Sequence, residues 1–287
     1  MRYSHSKRLP VQDHSSKSPQ EFFEIITKET KPEERSGCLL LVGGRRHSDL
    51  MVRQAQAPLR LDRMLSPWSQ ASVILDWPKT DDPSEVMGVE VSLTPSSAAV
   101  HLPERNGVSL FRLSDYMDDA QFPNMGAAIL CNTKGKSNEH VKAKRDAIHR
   151  AALRPAEEQM RFPLFDWIGE WQNYVYGAEG NPLLRQIPHP GAAFCEQVFR
   201  SANLDPTASA TNLNTCPEVI WSSLLYWYSC LHHDKGGLAV FSRRSDSHGQ
   251  QRYPSDKPSL EEAYAALKPG AAPAPARRAR NTSRKKK

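Results

Sequence analysis

The sequence predicts an α+β domain, an antiparallel sheet packed against helices, with flexible N- and C-terminal extensions. Two patterns predict it. Short apolar or alternating runs crowd residues 39–131, the period of strands, and apolar residues at helical spacing take over from Glu139 to Tyr228. A third observation bounds the domain: both ends are polar, with a Ser-rich patch at Ser15, Ser16 and Ser18 and an Ala/Pro-rich, then basic, terminus. The boundaries that follow are an N-terminal arm with a short helix over 1–36, the domain over 37–245, a polar linker with a short amphipathic helix over 246–270, and a disordered basic tail over 271–287.

Cys38-Leu39-Leu40-Leu41-Val42, ended by Gly43-Gly44, reads as a strand buried on both faces. Residues 45–60, carrying Leu50, Met51 and Val52, form a helix or loop, and the second half of Trp68–Asp76 is strand-like. Val89-Glu90-Val91-Ser92-Leu93 alternates as a strand with one wet face should. Residues 98–102, 107–113 and 127–131 complete a meander of five or six strands, most simply antiparallel. Val141, Ala147, Ile148, Ala151 and Ala152 then mark a helix broken near Pro155. Leu164, Ile168, Trp171 and Val175 mark a second, stopped by Gly177.

The third helix opens at Gly191 and buries Phe194, Val198, Phe199 and Ala202, with Cys195 expected in its first turn. A thiol there is favoured as thiolate by the unpaired N–H groups and the positive end of the helix dipole. The competing reading is a small apolar residue packed in the core. In the fourth helix Thr215 and Glu218 form a capping box around Pro217, and the body from Val219 to Tyr228 is apolar nearly all round. Ser259-Leu260-Glu261-Glu262 opens the small helix of the linker.

Composition excludes several classes. No run approaches the roughly 18 apolar residues of a membrane span, and the amino terminus lacks a secretory pattern, so the expectation is a cytoplasmic protein without a transmembrane segment. Five scattered cysteines (Cys38, Cys131, Cys195, Cys216, Cys230) without paired spacing indicate neither a disulfide framework nor a zinc site, and no cofactor is implied. The net charge of +6 belongs to the end: eight of the 38 basic residues lie between Lys268 and Lys287, with no acidic residue among them. The rest of the chain is two basic residues short of its 32 acidic ones, and it shows no base-reading motif. An anionic partner is therefore expected to be weak and tail-led.

Taken in order, these pieces resemble the circularly permuted papain-like thiol hydrolases of the NlpC type. The likeness runs through Leu39–Val42, Trp68-Ser69-Gln70, Gly107-Val108 to Leu113-Ser114-Asp115-Tyr116-Met117, Asp166-Trp167-Ile168-Gly169 and Phe194-Cys195-Glu196-Gln197-Val198. It spans roughly Gly37 to Trp227. The resemblance implies that Cys195 is the nucleophile and that Gln70 stands where the family has its histidine. A glutamine only hydrogen-bonds and cannot relay a proton. His101, near the expected third polar residue, and His189, six residues before Cys195, are alternative bases, and Glu90 is the rival for the third position.

Two functions follow from the resemblance. One is a thiol hydrolase or acyltransferase that forms an acyl-enzyme at Cys195 on a peptide, peptidoglycan peptide or acyl group. The other is a catalytically silent module that keeps the cleft to bind such a group, as Gln70 suggests. A nucleic-acid or anionic-surface binder led by the tail ranks third.

Overall fold

The structure, a computed structural model, describes residues 12–80, 82–93, 100–101, 107–130, 138–157, 164–207, 215–230 and 238–244. The expected linker helix and basic tail lie outside the described residues.

The described chain is α+β, as its patterning predicts. Its strands are β1 (Gln12–Asp13), β2 (Leu39–Gly43), β3 (Gln70–Asp76), β4 (Met87–Val91), β5 (Val100–His101), β6 (Val108–Arg112), β7 (Asn124–Ile129) and β8 (Ala239–Arg244). They form one sheet in the order β1-β8-β7-β2-β3-β4-β6-β5. The six longer strands pair antiparallel throughout, and only the two-residue β1 runs parallel to its neighbour β8. The path is a meander only from β2 to β4. It then departs from one, because β5 takes the sheet edge and β6 lies between it and β4, β7 returns to the far side of β2, and β8 extends the sheet beyond β7.

The helices are α1 (Pro19–Glu29), α2 (Pro32–Arg35), α3 (His47–Ala55), α4 (Asn138–Glu157), α5 (Leu164–Val175), α6 (Pro190–Ser201) and α7 (Pro217–Cys230). Strand alternation splits the core in two. Leu39, Leu41, Ala71, Val73, Val89, Val91 and Val108 face one way and pack with Ile148 of α4, Phe194 and Phe199 of α6, and Ile220 and Leu224 of α7. Leu40, Ile74, Phe111, Met125, Ala127 and Phe241 face the other way and pack with Phe22, Phe23 and Ile26 of α1 and with Tyr116 and Phe122. A smaller cluster joins Val52 of α3, Trp171 and Val175 of α5, and Cys216.

The N-terminal boundary needs correction. From residue 12 the chain is part of the domain rather than an arm. β1 pairs with β8, His14 N donates to Ser242 O at 2.8 Å, and Ser18 with Glu21 forms a complete capping box for α1. Burying Phe22, Phe23 and Ile26 stabilises the fold by roughly 1.5–3 kcal/mol each and anchors the segment on the sheet. The end of the expected arm holds a second helix, α2, and the buried Arg35 reaches back from it to Thr27 O and Thr30. β8 was not expected from the sequence. Its Arg243 is buried by donating to Lys17 O at 2.5 Å and to Pro123 O at 2.8 Å and by pairing with Asp119.

Candidate functional site

Helix α6 begins at Pro190 with His189 as its N-cap, so Cys195 falls in the second turn rather than at the opening. Its thiol therefore loses most of the helix-end field, which fades within the first turn. Gly191 sets how close the helix comes to the sheet. A Cβ there would lie 2.7 Å from Val91 O and 3.1 Å from both Ala71 O and the Gln70 amide nitrogen, a clash with backbone that nothing larger than glycine avoids. Cys195 is wholly buried with Phe194, Phe199 and Ala192 among the apolar side chains of β3 and β4. Burial, and then the negative charge of Glu90, push the thiol well above its ordinary range.

Gln70 is the first residue of β3, and its buried amide donates to Val91 O at 3.0 Å. It meets α6 at Gly191, one turn ahead of the cysteine. Among the described residues no hydrogen bond joins Gln70 to Cys195. The glutamine therefore ties β3 to β4 and seats the helix.

Glu90 is in register with Ser72 of β3 and Ser109 of β6. Its neighbours Val89 and Val91 pack with Cys195, so alternation turns the carboxyl to the opposite face, where Tyr116 Oη donates to it. As the third member of a cysteine site Glu90 is on the wrong side of the sheet. Burial raises its pKa from 4.5 to about 7, against the lowering effect of the Tyr116 hydrogen bond, and Tyr116 itself is pushed well above its ordinary value. The other carboxyl oxygen and the Ser109 hydroxyl have no hydrogen-bond partner among the described residues, and the Ser72 hydroxyl completes no bond of good geometry. His101 lies on β5 opposite Ser109, with its side chain outside the described residues.

His189 was the other alternative base. Its backbone N–H donates to Thr215 O at 2.8 Å, and its ring meets Trp171 edge-on with centroids 5.0 Å apart. Neither ring nitrogen has a hydrogen-bond partner among the described residues, and burial lowers the pKa to about 3. It is held as neutral imidazole, with the proton affinity of a base largely removed.

Sequence reasoning missed the role of Glu196. This buried carboxylate accepts from Thr215 Oγ1 at 2.5 Å and Thr207 Oγ1 at 2.7 Å and pairs with Arg200 at 2.6 Å. Thr215 therefore braces α6 instead of capping α7. The Glu218 N–H is satisfied from another element, by Gln56 Oε1 at 2.7 Å, while the Glu218 carboxylate accepts from Ser66 Oγ at 2.7 Å and Arg60 at 3.0 Å. The signal for this was Glu196 adjoining Cys195 on the helix, with Arg200 four residues on at ion-pair spacing. Among the described residues no group of three His, Cys, Asp or Glu side chains could hold a metal ion, and no helix is long and apolar enough to cross a membrane.

No protein-family model, curated protein or solved structure matches this chain.

Proposed function

We propose that this protein is a catalytically silent relative of the permuted papain-like thiol hydrolases, a module that keeps the cysteine helix on its sheet for binding a peptide or acyl group. The observation that carries the reading is the state of Cys195: fully buried, held as thiol, and one helical turn beyond Gly191, where the glutamine that meets the helix has its amide engaged by Val91 O. Thiol hydrolysis needs a thiolate within reach of both base and substrate. Here the cysteine is packed like an aliphatic side chain, and the residue at the base position has no proton to exchange.

The thiol-hydrolase reading keeps one observation in its favour. Glu90 has a pKa of about 7, suited to proton transfer at neutral pH, and its charge is felt at Cys195. Iodoacetamide labelling across pH separates the two readings, comparing the parent with Cys195→Ser, Gln70→His, Glu90→Gln and His101→Ala. The silent module predicts that Cys195 in the parent reacts more slowly than an ordinary thiol of pKa about 8.5. Fast labelling at neutral pH, slowed by Glu90→Gln or His101→Ala, would establish a working base and overturn the silent reading.

A further inference from the structure

Between α4, the end of β3 and the turn from α2 into β2 lies a partly open cavity of about 180 Å³. Leu75 of β3 and Ile148 of α4, both buried, give it an apolar lining. The polar groups that line it are left without partners. Arg145 Nη1 donates to Glu33 O at 2.5 Å, which fixes the guanidinium, while Nε of the same group is buried and unbonded among the described residues. No carboxylate among the described residues pairs with Arg145, and no cation among them pairs with Asp146, which is exposed, as is His149. Ser36 Oγ accepts from Trp77 N at 3.3 Å, so its own O–H is left to donate. A guanidinium held through Nη1 keeps its other edge, Nε with Nη2, as the side-on fork that matches a carboxylate.

We propose that this cavity binds a small zwitterion, a free α-amino acid with an aliphatic side chain, whose carboxylate takes the Nε edge of Arg145, whose ammonium takes Asp146, and whose side chain lies on Leu75 and Ile148. The proposal is independent of the silent-module reading, because Leu75 stands five residues along β3 from Gln70, about 17 Å away. Three features choose the ligand. A buried donor on a charged group is costly to leave unbonded, so Nε calls for an acceptor that the described residues do not supply. One positive and one negative group, each unpaired, suit a molecule that carries both signs, whereas a simple anion would meet Asp146 as well as Arg145. The volume equals about six waters of roughly 30 Å³ each, too small to enclose a peptide.

Equilibrium dialysis of the full chain against L-leucine, against isocaproate, which lacks the ammonium, and against inorganic phosphate tests this. The parent is expected to bind leucine in the millimolar range or tighter, and isocaproate about threefold to fivefold more weakly, the worth of a solvent-exposed ion pair. Asp146→Asn, at an exposed position, should leave the melting temperature unchanged, lower leucine affinity by that factor and leave isocaproate no weaker. Arg145→Gln should weaken both ligands about tenfold or more, and Arg145→Lys, which keeps the charge but not the fork, should recover only part of the loss. The proposal is overturned if the parent binds no leucine, or if isocaproate or phosphate binds as tightly as leucine, which would make this an anion site. It is also overturned if Asp146→Asn still prefers leucine to isocaproate as the parent does, a comparison that decides the matter even if Arg145→Gln fails to fold.

Discussion

The two faces of the sheet bury titratable groups by opposite means. On the α6 face, His189 and Cys195 sit among apolar side chains, and both are kept neutral because nothing nearby stabilises charge. On the other face, Glu90 lies in a polar row with Ser72, Ser109 and Tyr116 and titrates near neutral pH. The residue singled out for chemistry is thus in the drier place. The residue with a proton to exchange lies through the sheet from it. A nucleophile and a base need a shared face, and strand alternation denies them one.

The largest effect that can break this comparison is acid sensitivity from His189. Its folded pKa of about 3 lies below the ordinary 6.5, so the unfolded chain takes up the proton first. The stabilisation is complete above pH 6.5 and is lost as pH falls towards 3, by as much as roughly 4–5 kcal/mol. His189→Phe keeps an aromatic ring against Trp171 and should flatten that part of the stability–pH curve in urea titrations. An unchanged slope would mean that the ring finds a partner and is not held dry. Next in size, Phe199→Ala in α6 should cost roughly 3–5 kcal/mol, as for a fully buried aromatic side chain. A loss below about 1 kcal/mol would show a loose α6 face with room for substrate beside Cys195.

On the opposite face the sign reverses. The pKa of Glu90 is raised, so its stabilisation is full below pH 4.5, where both states are protonated, and is lost as pH rises from 4.5 through about 7. The loss above pH 7 approaches roughly 3 kcal/mol. Glu90→Gln should remove the slope and leave the variant more stable than the parent at pH 8, with the lost Tyr116 bond to a carboxylate as the opposing effect. Lower stability at pH 8 together with an intact slope would place the titration elsewhere.

Most of the architecture was legible because it rests on local periodicity. Val89–Leu93 alternates, though β4 spans Met87–Val91 and its polar face, expected to be wet, is buried at Glu90; Leu39–Val42 is apolar without a break, and Leu164, Ile168, Trp171 and Val175 recur every turn. What escaped was what distant residues supply. β8 ends in Ser242-Arg243-Arg244, a polar run by composition, and becomes a strand because Arg243 finds Lys17 O, Pro123 O and Asp119. Thr215 and Glu218 have the spacing of a capping box, yet Glu196 and Gln56 take their polar groups. At the candidate site the helix and its cysteine were legible. The side of the sheet taken by Glu90 depended on register, and the burial of Cys195 depended on how closely Gly191 lets α6 descend.

The smallest effect concerns the edge of the Glu90 face, where the N-terminal segment closes the core. Ser18 accepts from Glu21 N at 3.2 Å, and Glu21 returns a bond to Ser18 N at 2.8 Å, which fixes the entry to α1 and presents Phe22 and Phe23 to the sheet. Because the box is exposed, water replaces part of what is lost, and Ser18→Ala should cost about 1 kcal/mol. For a domain of this size that lowers the melting temperature by roughly 2–4 °C. Phe22→Ala, which removes the side chain that the cap positions, should cost roughly 3 kcal/mol or more. If neither substitution moves the transition, residues 12–29 are a detachable arm after all, and the packing of Phe22 and Phe23 on the sheet contributes little to stability.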